Sequence, residues 1–189
     1  MTNSARGMAT SIAESCQTPP SKSNSANINP KRIWFDGSTT RYGKGGREGW
    51  AVVDEELNIL VEGSREESPE NSSQRAELRG FLAAIRCVPV GNESLNFHIL
   101  GDSSYSINLV AQGWLMSWKS KGWKKKSNSK ATPANLDLLI SIDLELSLRP
   151  GLLVQWEKRC TSAPGKLVDA KSRDATMNSN AHNIGGGAW

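Results

Sequence analysis

Arg32-Ile33-Trp34-Phe35-Asp36-Gly37 is the first stretch of this 189-residue chain that can enter a core. Three apolar residues, two of them aromatic, lead to an acid, and a glycine then reads as the end of a strand. Residues 43–49 follow as a Gly-rich turn carrying Lys44 and Arg47. Trp50-Ala51-Val52-Val53 reads as a second strand, and after the turn Asp54-Glu55-Glu56 a third covers 57–62. A helix comes next, capped by Ser72 or Ser73, with Leu78, Phe81, Leu82, Ile85 and Val88 at three-to-four spacing. Phe97-His98-Ile99-Leu100 predicts a fourth strand ending at Gly101-Asp102, and a second helix starts at Ser103 or Ser104. Thr132-Pro133 offers a helix start, with Leu136, Leu139, Ile140, Leu144 and Leu146 behind it. Residues 152–156 predict a fifth strand, and a last helix is expected over 168–175. Three antiparallel strands followed by strand–helix crossovers predict an α/β fold, a mixed sheet with helices on its faces.

The flanks differ from this body. Residues 1–30 are rich in Ser, Asn, Thr, Ala and Pro without apolar periodicity, and 176–189 contain Gly185-Gly186-Gly187. Both read as disordered tails around one domain over 31–175. The first tail lacks the continuous apolar stretch of a secretory signal. With Arg6 its one arginine before Pro30, it fits an organellar presequence less well than a cytoplasmic protein. No run approaches the length of a membrane helix, so no membrane association is expected. Cys16, Cys87 and Cys160 are odd in number and form no CxxC pair, which argues for a reducing, intracellular setting rather than a disulfide framework or zinc ribbon. His98 and His182 lie far apart, so a metal here falls to carboxylates.

The formal charge of +4 conceals a segregation. Between Ser103 and Asn135 there is no acid, but Lys119, Lys121, Lys124, Lys125, Lys126 and Lys130 all fall there. A nearly neutral body with one basic segment points to a polyanionic partner. Four acids sit at element boundaries. Asp36 closes the first strand, Glu77 precedes the apolar stripe of the first helix, Asp102 closes the fourth strand and Asp169 opens the last helix. Carboxylates so placed can converge on one sheet edge, where they would repel one another unless cations lay between them. Hard divalent ions take oxygen ligands, and a pair of them clamps the attacking and leaving oxygens of a phosphodiester. Each acid also has a bland reading: Asp36-Gly37 as a turn pair, Asp102-Ser103 as a helix cap, Glu77 as a surface residue.

The words around these acids resemble those of type 1 ribonuclease H. Ile33-Trp34-Phe35-Asp36-Gly37-Ser38 is similar to the family's first-strand motif, and Ser73-Gln74-Arg75-Ala76-Glu77-Leu78 to its first-helix word. Ile99-Leu100-Gly101-Asp102-Ser103-Ser104-Tyr105 resembles its strand-end Asp-Ser-x-Tyr. Trp114-Leu115-Met116-Ser117-Trp118-Lys119-Ser120-Lys121-Gly122-Trp123-Lys124 resembles its basic handle, and Asp169 with Arg173 its final helix. The resemblance runs over 32–175 in the family's order. It implies the ribonuclease H-like fold, a five-stranded mixed sheet flanked by helices on both faces, and a hydrolase that cuts the RNA strand of RNA–DNA hybrids, leaving 5′-phosphate and 3′-hydroxyl ends. It implies two Mg²⁺ ions, or Mn²⁺ in their place. Asp36 would bridge them, Asp169 would help hold the ion that activates water, and Glu77 and Asp102 the ion at the leaving oxygen. Ser73 and Gln74 would meet the RNA minor groove, and Trp114, Trp118 and Trp123 with Lys119, Lys121 and Lys124 would grip the DNA strand. The four-residue spacing of Trp114 and Trp118 also fits a helix face packed in the core.

One motif departs from the family. Lys158-Arg159-Cys160-Thr161-Ser162-Ala163-Pro164 occupies the loop that usually carries a mobile His, and no His is there. Cys160 is a weak candidate for its position. The departure implies a slower or altered enzyme, with a catalytically weakened or inactive hybrid-binding module as the alternative. The handle and the absence of further domains in this sequence argue against a resolvase- or transposase-like nuclease. A monomer is the default.

Overall fold

A computed structural model describes residues 29–40, 45–127 and 130–178. The readings made for 1–28, 41–44 and 179–189, including Cys16, Lys44, His182 and most of both tails, lie outside the described residues. Five strands form the sheet: β1 (Lys31–Thr39), β2 (Glu48–Asp54), β3 (Ile59–Arg65), β4 (Phe97–Gly101) and β5 (Leu153–Trp156). The helices are α1 (Ser73–Arg86), α2 (Ser104–Ala111), α3 (Trp114–Ser120), α4 (Leu136–Ser147) and α5 (Ala163–Met177), with a 3₁₀ turn at Gly91–Asn96. The strand order is β3-β2-β1-β4-β5. β1, β2 and β3 pair antiparallel, whereas β4 runs parallel to both β1 and β5.

Ile33, Trp34 and Phe35 form an unbroken apolar run in the first strand because both of its faces are covered there. Ile33 and Phe35 point into a core shared with Leu78, Phe81 and Ile85 of α1 and Leu139 and Ile142 of α4. Trp34 points the other way, into a second cluster with Ala51, Val53, Leu100 and Val168 of α5. This alternation follows from the two-residue period of a strand. It places α1 and α5 on opposite faces, with β1 between them. The parallel ladder of β1 with β4 runs from Lys31 opposite Phe97 to Trp34 opposite Leu100. Asp36 and Asp102 each lie two residues beyond that last pair, at the carboxyl ends of adjacent parallel strands, where sheets of this kind open a crevice.

Three local expectations are corrected. Gly37 does not end β1, which continues to Thr39, with Gly37 opposite Trp50. A Cβ on Gly37 would lie 2.2 Å from the backbone carbonyl carbon of Ala76, and one on Gly80 would lie 2.6 Å from the carbonyl oxygen of Asp36. The glycines are there because α1 lies directly on β1. The Thr132-Pro133 start is also displaced: α4 begins at Leu136, after Asn135 in a left-handed conformation (φ 57°). Arg75 on α1 donates to Asp137 Oδ1 at 2.9 Å and to Asn135 Oδ1 at 3.4 Å, so a contact between helices sets the start. Asn tolerates that backbone better than most residues. Finally, α5 starts at Ala163, capped by Ser162, well before 168, and Asp169 lies in its second turn rather than opening it. The other two caps were legible. Ser72 accepts from Arg75 N–H, and Ser103 from Ser106 N–H, at the starts of α1 and α2.

Replacing Gly37 by Ala is expected to lower stability by about 1–3 kcal/mol, because an added methyl must push α1 off the strand. Thermal unfolding measures it, and a change below a few tenths of a kcal/mol would contradict the close approach.

Candidate active site

Asp36, Glu77 and Asp102 offer carboxylate oxygens that all lie within 4.8 Å of one another. Each comes from a different element. The central strand presents Asp36, 5% exposed. The helix pressed onto that strand presents Glu77, and the turn after β4 presents Asp102. The bland readings therefore fail for all three: Asp36 is inside a strand, Glu77 faces inward, and the cap of α2 is Ser103 rather than Asp102.

The electrostatics are those of acids packed without enough positive charge. Burial, the proximity of Asp102 and that of Asp169 push the Asp36 carboxyl up to about 6, against the lowering effect of a Ser172 hydrogen bond. Burial and the charges of Asp36 and Asp102 push Glu77 well above the usual carboxylate range. Burial also raises Asp102. Glu77 Oε2 is buried with no hydrogen-bond partner. An orphaned buried carboxylate oxygen beside two more carboxylates is a donor set for a hard divalent cation, and the residues fit such an ion.

Asp169 stands apart from this trio. It is 7% exposed, and its carboxylate is taken by two guanidinium groups. Arg159 donates to its Oδ1 from Nε at 2.9 Å and again from Nη2, and Arg173 Nη2 reaches Oδ1 at 2.9 Å and Oδ2 at 2.7 Å. Arg159 Nε also lies 3.8 Å from Asp102 Oδ2. Ser172, wholly buried, donates its hydroxyl to Asp36 Oδ2 and so links α5 to the cluster. Sequence reading missed both Arg159 and Ser172. Ser172 was findable, since it lies one turn from Asp169 on the same helix face. Arg159 stood in a loop read only for a missing His. Cys160, the candidate weighed there, follows it with φ 55° and lines the same cleft.

The remaining residues of interest lie outside the acidic cluster. Ser73 and Gln74 are exposed at the start of α1. Trp114, Trp118 and Trp123 are half-buried and pack against the main core, with Trp114 6.1 Å from Tyr105 and 6.2 Å from Trp118, ring centre to ring centre. The packing reading thus holds for Trp114 and Trp118, Trp123 packs on the same core from beyond the helix, and each keeps part of its surface outside. Lys119 pairs with Asp143 at 2.7 Å, and Lys121 donates to Ser117 Oγ at 2.8 Å. Lys124, Lys125 and Lys126 are exposed.

The family model for RNase H matches residues 29–156. The chain belongs to the RNase H family, in its type 1 branch. Ribonuclease HI of Pseudomonas aeruginosa is 30% identical over 137 residues, covering 70% of this chain and 83% of the relative. Among solved structures, the foamy viral protease-reverse transcriptase in complex with RNA/DNA hybrid superposes with a TM-score of 0.62 at 20% identity, over 86% of this chain and 22% of that one. LC9-RNase H1, a type 1 RNase H with the type 2 active-site motif, superposes with a TM-score of 0.57 at 18% identity, over 86% of this chain and 81% of the other. These likenesses carry the fold. The family match spans Asp36, Glu77 and Asp102 and ends at Trp156, before Asp169.

An acid whose pKa is raised by folding makes the fold less stable once it ionises. Below about pH 4 Asp36 is protonated in both states. As pH rises from about 4 through 6 the folded chain must charge a buried group, and stability falls. Asp36→Asn is therefore expected to stabilise the protein in EDTA at pH 7.5, by up to about 3 kcal/mol, with the gain disappearing near pH 4. Denaturant unfolding at the two pH values measures it, and equal gains at both would contradict the charge argument.

Proposed function

We propose that this chain hydrolyses the RNA strand of RNA–DNA hybrids, leaving 5′-phosphate and 3′-hydroxyl ends, at the carboxylate cluster of Asp36, Glu77 and Asp102. The observation that carries this reading is the convergence of three ligand oxygens within 4.8 Å on elements inside the family match. Mg²⁺, with Mn²⁺ as a substitute, is the cation suited to an all-carboxylate set that must also leave room for phosphate oxygens. When bound, such ions supply a competent water nucleophile and offset charge developing on the phosphate. Glu77 and Asp102 would hold one, Asp36 would be shared, and Asp169 would serve a second once released from its guanidinium partners.

The chain's own residues prepare this site. The Ser172 hydroxyl fixes one oxygen of Asp36, and the body of α1 holds Glu77 dry. Trp156 donates its indole N–H to the carbonyl of Asp102 at 2.9 Å, which secures the turn that aims its carboxylate. Burial is thus a positioning device as much as an electrostatic one. The presence of all four acids opposes the reading as an inactive binding module.

Hybrid recognition rests on the backbone, because the substrate has no fixed sequence. Ser73 and Gln74, exposed at the helix end beside Glu77, suit contact with RNA 2′-hydroxyls in the minor groove. The core-packed tryptophans of α3 make a rigid platform from which Lys119, Lys121 and Lys124 reach the phosphates of the DNA strand. The Lys119–Asp143 pair is exposed, so it yields to phosphate at little cost. The free thiols Cys87 and Cys160 suit an intracellular setting.

A labelled hybrid incubated with the protein in Mg²⁺, Mn²⁺ or EDTA tests the reading. Metal-dependent scission of the RNA strand alone is expected, with Asp102→Asn slower by about a hundredfold or more. Tight binding without scission in either metal would replace the nuclease by a binding module. Lys124→Ala should weaken hybrid binding and lower the slope of log affinity against log salt by about one, read by fluorescence anisotropy across a salt series.

A further inference from the structure

The loop between β5 and α5 delivers a fixed positive charge into the carboxylate cluster. It is a built loop rather than a loose one. Glu157 N–H bonds to the carbonyl of Gly101 at 2.9 Å, and the Glu157 carboxylate accepts from the Trp34 indole at 3.1 Å and from the Ser162 hydroxyl that caps α5. Thr161 N–H closes the turn onto the carbonyl of Lys158 at 3.3 Å. Within this frame Cys160 takes a left-handed backbone (φ 55°), unfavourable for a residue other than Gly, Asn or Asp. Strain of that kind persists where the surroundings over-determine it. Arg159, the neighbour of Cys160, reaches Asp169 and comes within 3.8 Å of Asp102.

The two sides of this contact differ in freedom. The Asp169 side chain is 10% exposed and locked in a helix, whereas that of Arg159 is 59% exposed and hangs from a loop. Of the pair, only the arginine can withdraw into water. Arg173 also holds Asp169, but from one turn along the same helix, and reaches no other acid of the cluster among the described contacts.

We propose that Arg159 is the resident counter-cation of the carboxylate cluster: it orients Asp169 and offsets the charge of Asp102 and Asp169 while no divalent ion is bound, and swings out to solvent when one binds. Arg159 is thus a positioning residue that sets the affinity of the site for its metal. The inference rests on the reading of the cluster as a divalent-cation site. A divalent ion and a guanidinium less than 4 Å from the same oxygens repel, so the metal-bound and arginine-paired arrangements compete. Removing the arginine weakens the metal-free fold and strengthens cation binding.

The test uses the intact chain and the metal alone, without nucleic acid. Titration calorimetry with Mn²⁺ and with Mg²⁺ compares the wild type with Arg159→Ala and Arg159→Lys. Thermal melts in EDTA and in saturating Mn²⁺ accompany it. Arg159→Ala is expected to bind Mn²⁺ about threefold to fivefold more tightly, the effect of one partly screened charge. It should melt lower than the wild type in EDTA and close to it in saturating Mn²⁺. Arg159→Lys, which keeps the charge, should stay near the wild-type affinity. A purely structural arginine would lower both melts equally and leave the affinity unchanged or weaker, and that result, or no measurable metal binding by Arg159→Ala, overturns the proposal. Failure of the nuclease reading looks different: the wild type and its variants would bind Mn²⁺ in the expected order and cut no hybrid.

Discussion

The contact of α1 with β1 is the constraint on which this site depends. Gly37 on the strand and Gly80 on the helix have no Cβ because the opposing backbone occupies that space. The apolar side of the same contact, Phe35 on Phe81 with ring centres 5.2 Å apart, supplies the attraction. Packing density leaves the helix no freedom to retreat, so Glu77 stays against Asp36 although both are acids. Hydrophobic burial thereby holds a concentration of negative charge that the charges alone would disperse.

What surrounds the cluster manages that charge in graded ways. A neutral hydroxyl, Ser172, steadies Asp36, and two guanidinium groups neutralise Asp169. Glu77 receives the least help, with one buried oxygen unpartnered. The gradient runs from paired acids on the α5 side to underpaired acids on the α1 side, and the underpaired side is where a divalent cation gains most. The basic segment is built on a different footing. Its tryptophans are anchored in the apolar core, and its lysines project outward or pair along the surface.

Much of this was legible along the chain. The apolar run Ile33–Phe35, the stripe from Leu78 to Val88, and the caps at Ser72 and Ser103 depend on neighbours in sequence, and local pattern found them. The strand-end position of Asp102 and the helical position of Glu77 were enough to nominate them. Where reading failed, the cause was a partner remote in sequence. Gly37 looked like a strand terminator because its helix partner lies about forty residues on. The start of α4 was read from Thr132-Pro133, a sound local signal, and overruled by Arg75 holding Asp137. Arg159 was invisible as a functional residue, since its meaning lies in two acids reached from different elements.

The sequence by itself determined the order of strands and helices, the family they belong to, the segregation of basic charge and the identity of the acids, because periodicity, composition and motif spacing are properties of the chain. Tertiary structure alone decided which acids meet, which is masked by arginine and which is left buried and unpaired. Those outcomes depend on distances of a few ångströms between elements far apart in sequence, and on the loss of water between them, which turns ordinary carboxylates into groups that demand a cation.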